Sequence, residues 1–334
     1  MKIEKVVVAV LKKSFVSKIG FFGINQLIEF SMKTKSVNEE NNSIDLEKIL
    51  ATHGLTICEK EFFRGKKNVF KVVDRHGKKG ILKWGRIDNY QLELFQLAKE
   101  MEDQLCFRVP EILDHGDGWF LMEEVEGKEL NDFYDEKADW ALDVSLDIAG
   151  DYTLVTEQLC RTYRLEKSLP QMEKWLYGAI SHWSKPILDA KLIDFSEIQR
   201  IKTDFERIID KKQGDFFGWV HGNIIGDHIL INDNKPYLLD LSMGNRPGVG
   251  YYDFLRSLDF YFLKAGNTDL AYHNILDRLD GVCDQFHEEE VRLVFALRNL
   301  GILGHDMLRH NVSYLGGDFE RKRDLALTFI RRQY

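Results

Sequence analysis

The chain has 334 residues, of which 44% are hydrophobic, 12% aromatic and 30% charged, with a formal net charge of −8. That length exceeds one small core and fits two domains or lobes, and the apolar content is ample for the packed interior of a globular protein. The acidic balance excludes a general nucleic-acid binder, because a phosphate backbone rewards a basic surface.

Residues 1–30 carry five lysines in the first eighteen positions and a six-residue apolar run, Val6 to Leu11, stopped by Lys12 and Lys13. The run is too short to span a bilayer, and no small-residue cleavage site follows it. Two readings stay open: a basic helix making peripheral membrane contact, or an extension packed on the body of the protein. The polar stretch from Ser31 to Ser43 reads as a linker, so residues 1–42 form an extension ahead of the folded part. Cys58, Cys106, Cys160 and Cys283 are scattered with no CxxC pair, which points to reduced thiols and a cytoplasmic location.

Ser43 is placed to cap a short helix through Leu46, Ile49 and Leu50, with Gly54 as the residue after its end. Three strand candidates follow, LTICEKEFF from Leu55, NVFKVVD from Asn68 and GILKW from Gly80, joined by turns at Gly65 and Gly77. Short strands and tight turns predict an antiparallel meander. A helix is predicted from Asp88 to Met101, with Leu92, Phe95 and Leu97 on or near one face. RVPEILDHG and WFLMEEVEG supply two more strands, so residues 43–126 read as a sheet-rich lobe with one helix.

Residues 127–334 read mainly as helix, for example from Glu288 to Leu303, where Leu293, Leu297 and Leu300 recur at helical spacing. The exception is the stretch from Trp219 to Leu241, where ILI, the turn Asp233-Asn234-Lys235-Pro236 and YLLDL give a hairpin signal. Gly244 to Gly250, GNRPGVG, lacks the lysine of a phosphate-binding P-loop and reads as a connecting loop. The fold class is therefore α+β, a small antiparallel sheet lobe followed by a large helical lobe.

Two segments, VPEILDHGDGWFLMEEVEGKEL and VHGN with its downstream LLDLSMGNRPGVGYYDF, resemble the aminoglycoside phosphotransferase and choline kinase family of small-molecule kinases. The resemblance covers roughly Leu55 to Leu263 and implies a protein-kinase-like bilobal fold. It also implies ATP and Mg²⁺ as cofactors and a small-molecule hydroxyl as acceptor. The family pattern is His-Gly-Asp, four residues, Asn, then a second Asp, then an aromatic-Asp pair. Spacing matches throughout; two identities differ, with Asn223 in place of the first Asp and His228 in place of the Asn.

Phosphoryl transfer needs positive charge and backbone N–H groups on the phosphates, metal ions bridging their oxygens, and an aligned hydroxyl. By resemblance, Lys83 contacts the phosphates, Glu93 pairs with that lysine, with Glu100 in reserve, and the turn at Gly65 is a reduced glycine-rich loop. Each has a plainer reading, respectively an edge-strand lysine, solvated helix carboxylates and an ordinary hairpin turn. Asp240 is the metal-binding carboxylate by resemblance, since a carboxylate closing an apolar strand requires a charged or hydrogen-bonding partner. Asp253 is the residue that braces the catalytic loop, and an ordinary helix-start carboxylate is the alternative. His228 is accepted at the metal position by macrolide-type members of the family; imidazole being softer than an amide oxygen, weaker Mg²⁺ binding or a preference for Mn²⁺ is expected.

Asn223 can orient a hydroxyl but cannot take its proton, a loss that costs ~10²–10⁴-fold in rate for a general base. Asp227, four residues on, returns a carboxylate to the loop and could substitute only in an altered loop. Between Lys128 and Cys160 nine acidic residues face two lysines, which favours a cationic acceptor if they line the site and means solvated helix faces if they do not. The sequence supports a kinase, with a pseudokinase that keeps nucleotide binding as the alternative.

Overall fold

A computed structural model of the chain describes residues 46–58, 68–85, 87, 90–166, 168–222, 224, 226–242, 244–247, 251–256, 261, 272–274, 276–278, 287–308 and 319–332. The N-terminal extension, the turn at Gly65, the catalytic-position residue Asn223 and Cys283 lie outside the described residues.

The described chain opens with helix α1 (Leu46–His53), which ends as expected at Gly54, whose φ of 62° suits a residue without Cβ. Strands β1 (Thr56–Ile57), β2 (Val69–Val73), β3 (Lys79–Trp84), β4 (Ile112–Gly116) and β5 (Trp119–Glu123) form a five-stranded sheet in the order β1-β2-β3-β5-β4. β2 pairs antiparallel with β1 and with β3, and the β2–β3 register sets Val69 opposite Lys83 and Val73 opposite Lys79. The turn between β2 and β3 is closed by Asp74, whose Oδ1 accepts the N–H groups of His76 and Lys78, both at 2.8 Å. Those bonds, that from Lys78 foremost, hold the Asp74 carboxyl below the usual carboxylate range. β2 buries Val69, Phe70 and Val72, and β3 buries Ile81 and Leu82.

The chain divides into two compact units, residues 1–86 with 116–120, and residues 87–115 with 121–334. The second unit starts with α2 (Gln91–Glu100) and becomes mostly helical after β6 (Lys128–Glu129) and the single turn α3 (Leu130–Phe133). Its long helices are α4 (Ala138–Tyr163), α5 (Leu169–Asp189) and α6 (Phe195–Lys212), the last started by a capping box between Asp194 and Glu197. Two small antiparallel sheets interrupt them. One pairs β7 (Phe217–Val220) with β10 (Gly244–Pro247), and the other has the order β6-β8-β9, with β8 (Ile229–Asn232) and β9 (Lys235–Leu238) as a hairpin. The hairpin turn falls on Asp233 and Asn234, both at positive φ, as turn residues of this type tolerate. α7 (Tyr251–Arg256), α8 (Glu288–Leu308) and α9 (Phe319–Arg331) complete the described helices that the argument uses.

The structure corrects the reading of one loop. Gly244–Pro247, read from its glycine and proline as loop, is strand β10, with Gly244 opposite Val220 and Pro247 opposite Phe217. Pairing with an already buried strand overrides the weak local preference. In α8, Leu293, Leu297 and Leu300 are all fully buried, together with every other residue from 293 to 300. The same helix carries Gly301 and Gly304 against α5; a Cβ at Gly304 would stand 2.3 Å from the Trp183 carbonyl oxygen. A glycine inside a helix costs about 0.5–1 kcal/mol relative to alanine; here Gly304 lets the α5 backbone approach and Gly301 leaves room for the Trp183 ring.

Candidate active site

The site is built on the apolar strand β7. Phe217 and Val220 are buried in the core, which fixes the direction in which the chain leaves the strand into His221-Gly222. Gly222 has a φ of 75°, a conformation an L side chain resists, so the turn requires glycine there. Asp253 meets this turn from α7. Its Oδ2 accepts the His221 N–H at 2.8 Å and its Oδ1 the Gly222 N–H at 2.6 Å. Asp253 is 1% exposed, so these charge-assisted bonds offset the cost of burying the carboxylate.

The His221 ring turns toward the segment that follows β9. Its Nε2 meets the Asp240 carbonyl oxygen, and because a carbonyl only accepts, Nε2 carries the proton. The ring stands edge-on to Tyr152 of α4, 5.3 Å between centroids. Tyr152 donates its hydroxyl to the Ser242 carbonyl, and Ser242 Oγ donates to the His221 carbonyl at 3.3 Å. Backbone atoms of residues 240–242 and the His-Gly turn are thus tied by three side chains.

The Asp240 carboxylate is half-buried, and its Oδ1 accepts from Gln91 Nε2 at 2.9 Å. His228 is buried in a short 3₁₀ turn, Gly226–His228; its carbonyl accepts the Leu239 N–H at 2.9 Å, and its ring lies 6.3 Å from that of His221. Asp227 is half-buried in the same turn. The second unit therefore gathers His221, His228, Asp240 and Asp253, with Asp227 on the connecting turn. Glu93 is half-buried in the first turn of α2 and Glu100 is exposed at its end. In the first unit, Lys83 is half-buried on β3 with its ammonium 5.8 Å from the centre of the Phe120 ring.

The 3₁₀ turn is confined by α3. A Cβ at Gly226 would sit 2.1 Å from Asn131 Oδ1 and 2.9 Å from the Asn131 nitrogen. Gly226→Ala is expected to displace the turn that carries Asp227 and His228, at a cost of roughly 1–3 kcal/mol typical of overpacking, read from urea denaturation. A variant as stable as the parent would show that α3 yields freely.

Two contributors escaped the sequence reading. Tyr152 gives no local signal. Gln91 does, because the buried residues of α2 are Gln91, Leu94, Phe95 and Ala98, an amide on an otherwise apolar helical stripe. The stripe expected from Leu92, Phe95 and Leu97 is rotated: Leu92 and Leu97 are half-buried and only Phe95 is shared.

The acidic stretch has a definite form on α4. Asp139, Asp143, Asp147 and Asp151 recur every four residues and share one face. Arg278 pairs with Asp139 at 3.4 Å and Asp143 at 2.8 Å, and Asp151 accepts the Cys106 N–H at 2.5 Å. Burial, then the charges of Asp143 and Asp151, push the Asp147 carboxyl above the usual range.

Mg²⁺ keeps several waters and takes one or two protein carboxylates together with phosphate oxygens. Asp240, a hard oxygen donor held by a buried amide, fits such an ion; among the described residues no group of three or more His, Cys, Asp or Glu gathers as a metal site of its own. Among the described residues, too, no helix is long and apolar enough to cross a membrane.

No protein-family model and no curated protein matches the chain. Solved structures do. An ethanolamine kinase of Plasmodium vivax is 12% identical, with 84% of each chain covered and a TM-score of 0.47. An apo macrolide 2′-phosphotransferase from Brachybacterium faecium is 14% identical over 85% of this chain and 95% of that one, with a TM-score of 0.48. A choline kinase from Streptococcus pneumoniae is 13% identical over 86% and 97%, with a TM-score of 0.45.

Proposed function

We propose that the chain is an ATP-dependent phosphotransferase acting on a hydroxyl of a small molecule. The observation that carries this reading is the His221-Gly222 turn, braced through both N–H groups by one buried carboxylate, Asp253, and tied through the His221 ring to the Asp240 carbonyl. That construction holds a loop and a carboxylate-bearing segment in fixed register, and phosphoryl transfer depends on positioning and electrostatics more than on covalent chemistry.

In this reading Lys83 supplies positive charge to the nucleotide phosphates, with Glu93 setting its reach and the backbone at Gly65 approaching the same phosphates. Asp240 would hold the metal, with His228 beside it. Mg²⁺ or Mn²⁺, if bound there, would supply positive charge to the phosphates. Asn223 orients the acceptor hydroxyl by hydrogen bonding, and the proton leaves to solvent or to Asp227. If the aspartate face of α4 lines the acceptor site, it favours an acceptor with a positive charge, although Arg278 already meets Asp139 and Asp143. Asn223 itself favours a second reading, a pseudokinase that binds nucleotide without turnover.

ATP consumption against amino alcohols, aminoglycosides, macrolides and sugars, with Asn223→Asp beside the wild type, separates the two. The enzyme reading expects turnover by both proteins, faster in the variant by roughly 10²–10⁴-fold where the proton transfer limits the rate. A silent wild type awakened by Asn223→Asp identifies the binding module, and silence of both sinks the kinase reading.

A further inference from the structure

A buried amide that the phosphotransfer scheme does not use sits against its metal carboxylate. We infer that Gln91 is the positioning residue for Asp240 and, through it, sets the Mg²⁺ dependence of nucleotide binding; the inference rests on the reading of Asp240 as the metal carboxylate.

Gln91 has 0% of its surface exposed. Its Nε2 donates to Asp240 Oδ1 at 2.9 Å and to the Leu241 carbonyl at 2.5 Å. An amide nitrogen carries two hydrogens, so both are used, and one group grips the side chain of one residue and the backbone of the next. The assignment of nitrogen rather than oxygen to this side follows from the partners, since the Leu241 carbonyl only accepts.

No other residue type with this reach meets the need as well. Glutamate would set a second carboxylate against Asp240 and a carbonyl, three acceptors with no donor between them. Leucine or methionine would match the apolar stripe of Leu94, Phe95 and Ala98 but leave the Leu241 carbonyl without the Gln91 donor. Lysine would bring two hydrogens to the same acceptors, and with them a charge that competes with a metal for the carboxylate.

The backbone ahead of Gln91 is also specialised. Tyr90 has φ 61°, an outlier for a bulky aromatic residue, and such a conformation persists only where the surroundings fix it. Its carbonyl accepts the Leu94 N–H at 2.9 Å, the first bond of α2, and its ring lies 5.4 Å from that of Tyr163 at the end of α4. Gln91, the first residue of α2, follows this left-handed position directly.

A metal ligand held by a neighbouring hydrogen bond keeps the orientation that coordination requires, and losing such a partner typically weakens metal affinity by ~10–100-fold. Gln91 therefore acts on the metal through Asp240 without touching it.

The test is calorimetric titration of the full chain with ATP, once with Mg²⁺ and once with EDTA, for wild type and Gln91→Met, with thermal unfolding of both. The expected result is Mg²⁺·ATP affinity lower by ~10–100-fold in Gln91→Met, with metal-free ATP affinity unchanged. In an Asp240→Asn background the same substitution is expected to change neither. Should Gln91→Met fail to fold, Gln91→Asn takes its place, since its amide is one methylene too short to reach Asp240. A variant that folds and keeps the wild-type Mg²⁺ dependence, or loses both affinities equally, overturns the positioning role while the kinase reading stands. A wild type that binds no ATP in either titration overturns the reading itself and the inference with it.

Discussion

Asp253→Ala is expected to lower the stability of the protein by roughly 3–6 kcal/mol, two hydrogen bonds to a charged acceptor at about 1.5–3 kcal/mol each. The substitution leaves the consecutive N–H groups of His221 and Gly222 without the carboxylate that accepts both, in a place where Asp253 itself is 1% exposed. Against a total of about 5–15 kcal/mol for a domain, that is a large fraction. Asp253→Asn separates charge from shape: its amide oxygen can accept one N–H while its NH₂ faces the other donor, so repulsion replaces one bond. Urea denaturation of wild type and both variants measures the effect. The expected order is wild type, then Asn and Ala both well below it, and an Ala variant within about 1 kcal/mol of wild type would show that the bracing is not a stability element. Because the His-Gly turn is the piece that is freed, any nucleotide-dependent turnover is expected to vanish in the variants that still fold.

Regular elements were readable wherever periodicity and burial agree. Leu293, Leu297 and Leu300 are buried in α8, where residues 293–300 are buried all round, the 229–238 hairpin turns at Asp233-Asn234, and α1 stops at Gly54. Each is set by local spacing or by a residue suited to its own φ. Gly244–Pro247 was not readable, because its strand exists only through pairing with β7, a contact between residues more than twenty positions apart. The α2 face was misread for a related reason. Gln91 belongs to the buried stripe on geometry but to the surface on polarity, and only Asp240 and Leu241, about 150 residues further on, justify its burial. Asp253 was readable as a brace through the family spacing alone; that it uses one oxygen per N–H is a fact of three dimensions. The spacing of a motif survives in sequence, whereas the groups that hold it in place come from elements far away.

Lys83 and Asp240 carry the other large expected effect. Lys83 is a half-buried cation on β3, and Asp240 a carboxylate whose backbone carbonyl and side chain are both held, by His221 and Gln91 respectively. If one supplies charge to phosphates and the other holds the metal that bridges them, nucleotide affinity depends on each separately. A hydrogen bond to a charged group is worth about 1.5–3 kcal/mol, which corresponds to roughly 10–150-fold in a binding constant. Lys83→Met keeps the length and apolar stem of the side chain and removes only the charge. Asp240→Asn keeps the shape and removes the metal-binding charge, and its effect is expected only when Mg²⁺ is present. The most direct measurement is equilibrium titration of the full chain with Mg²⁺·ATP for wild type, Lys83→Met and Asp240→Asn. Saturable binding by wild type, weakened roughly 10–150-fold by either substitution, is the predicted result; absence of saturable binding by wild type, or wild-type affinity in either variant, would contradict it.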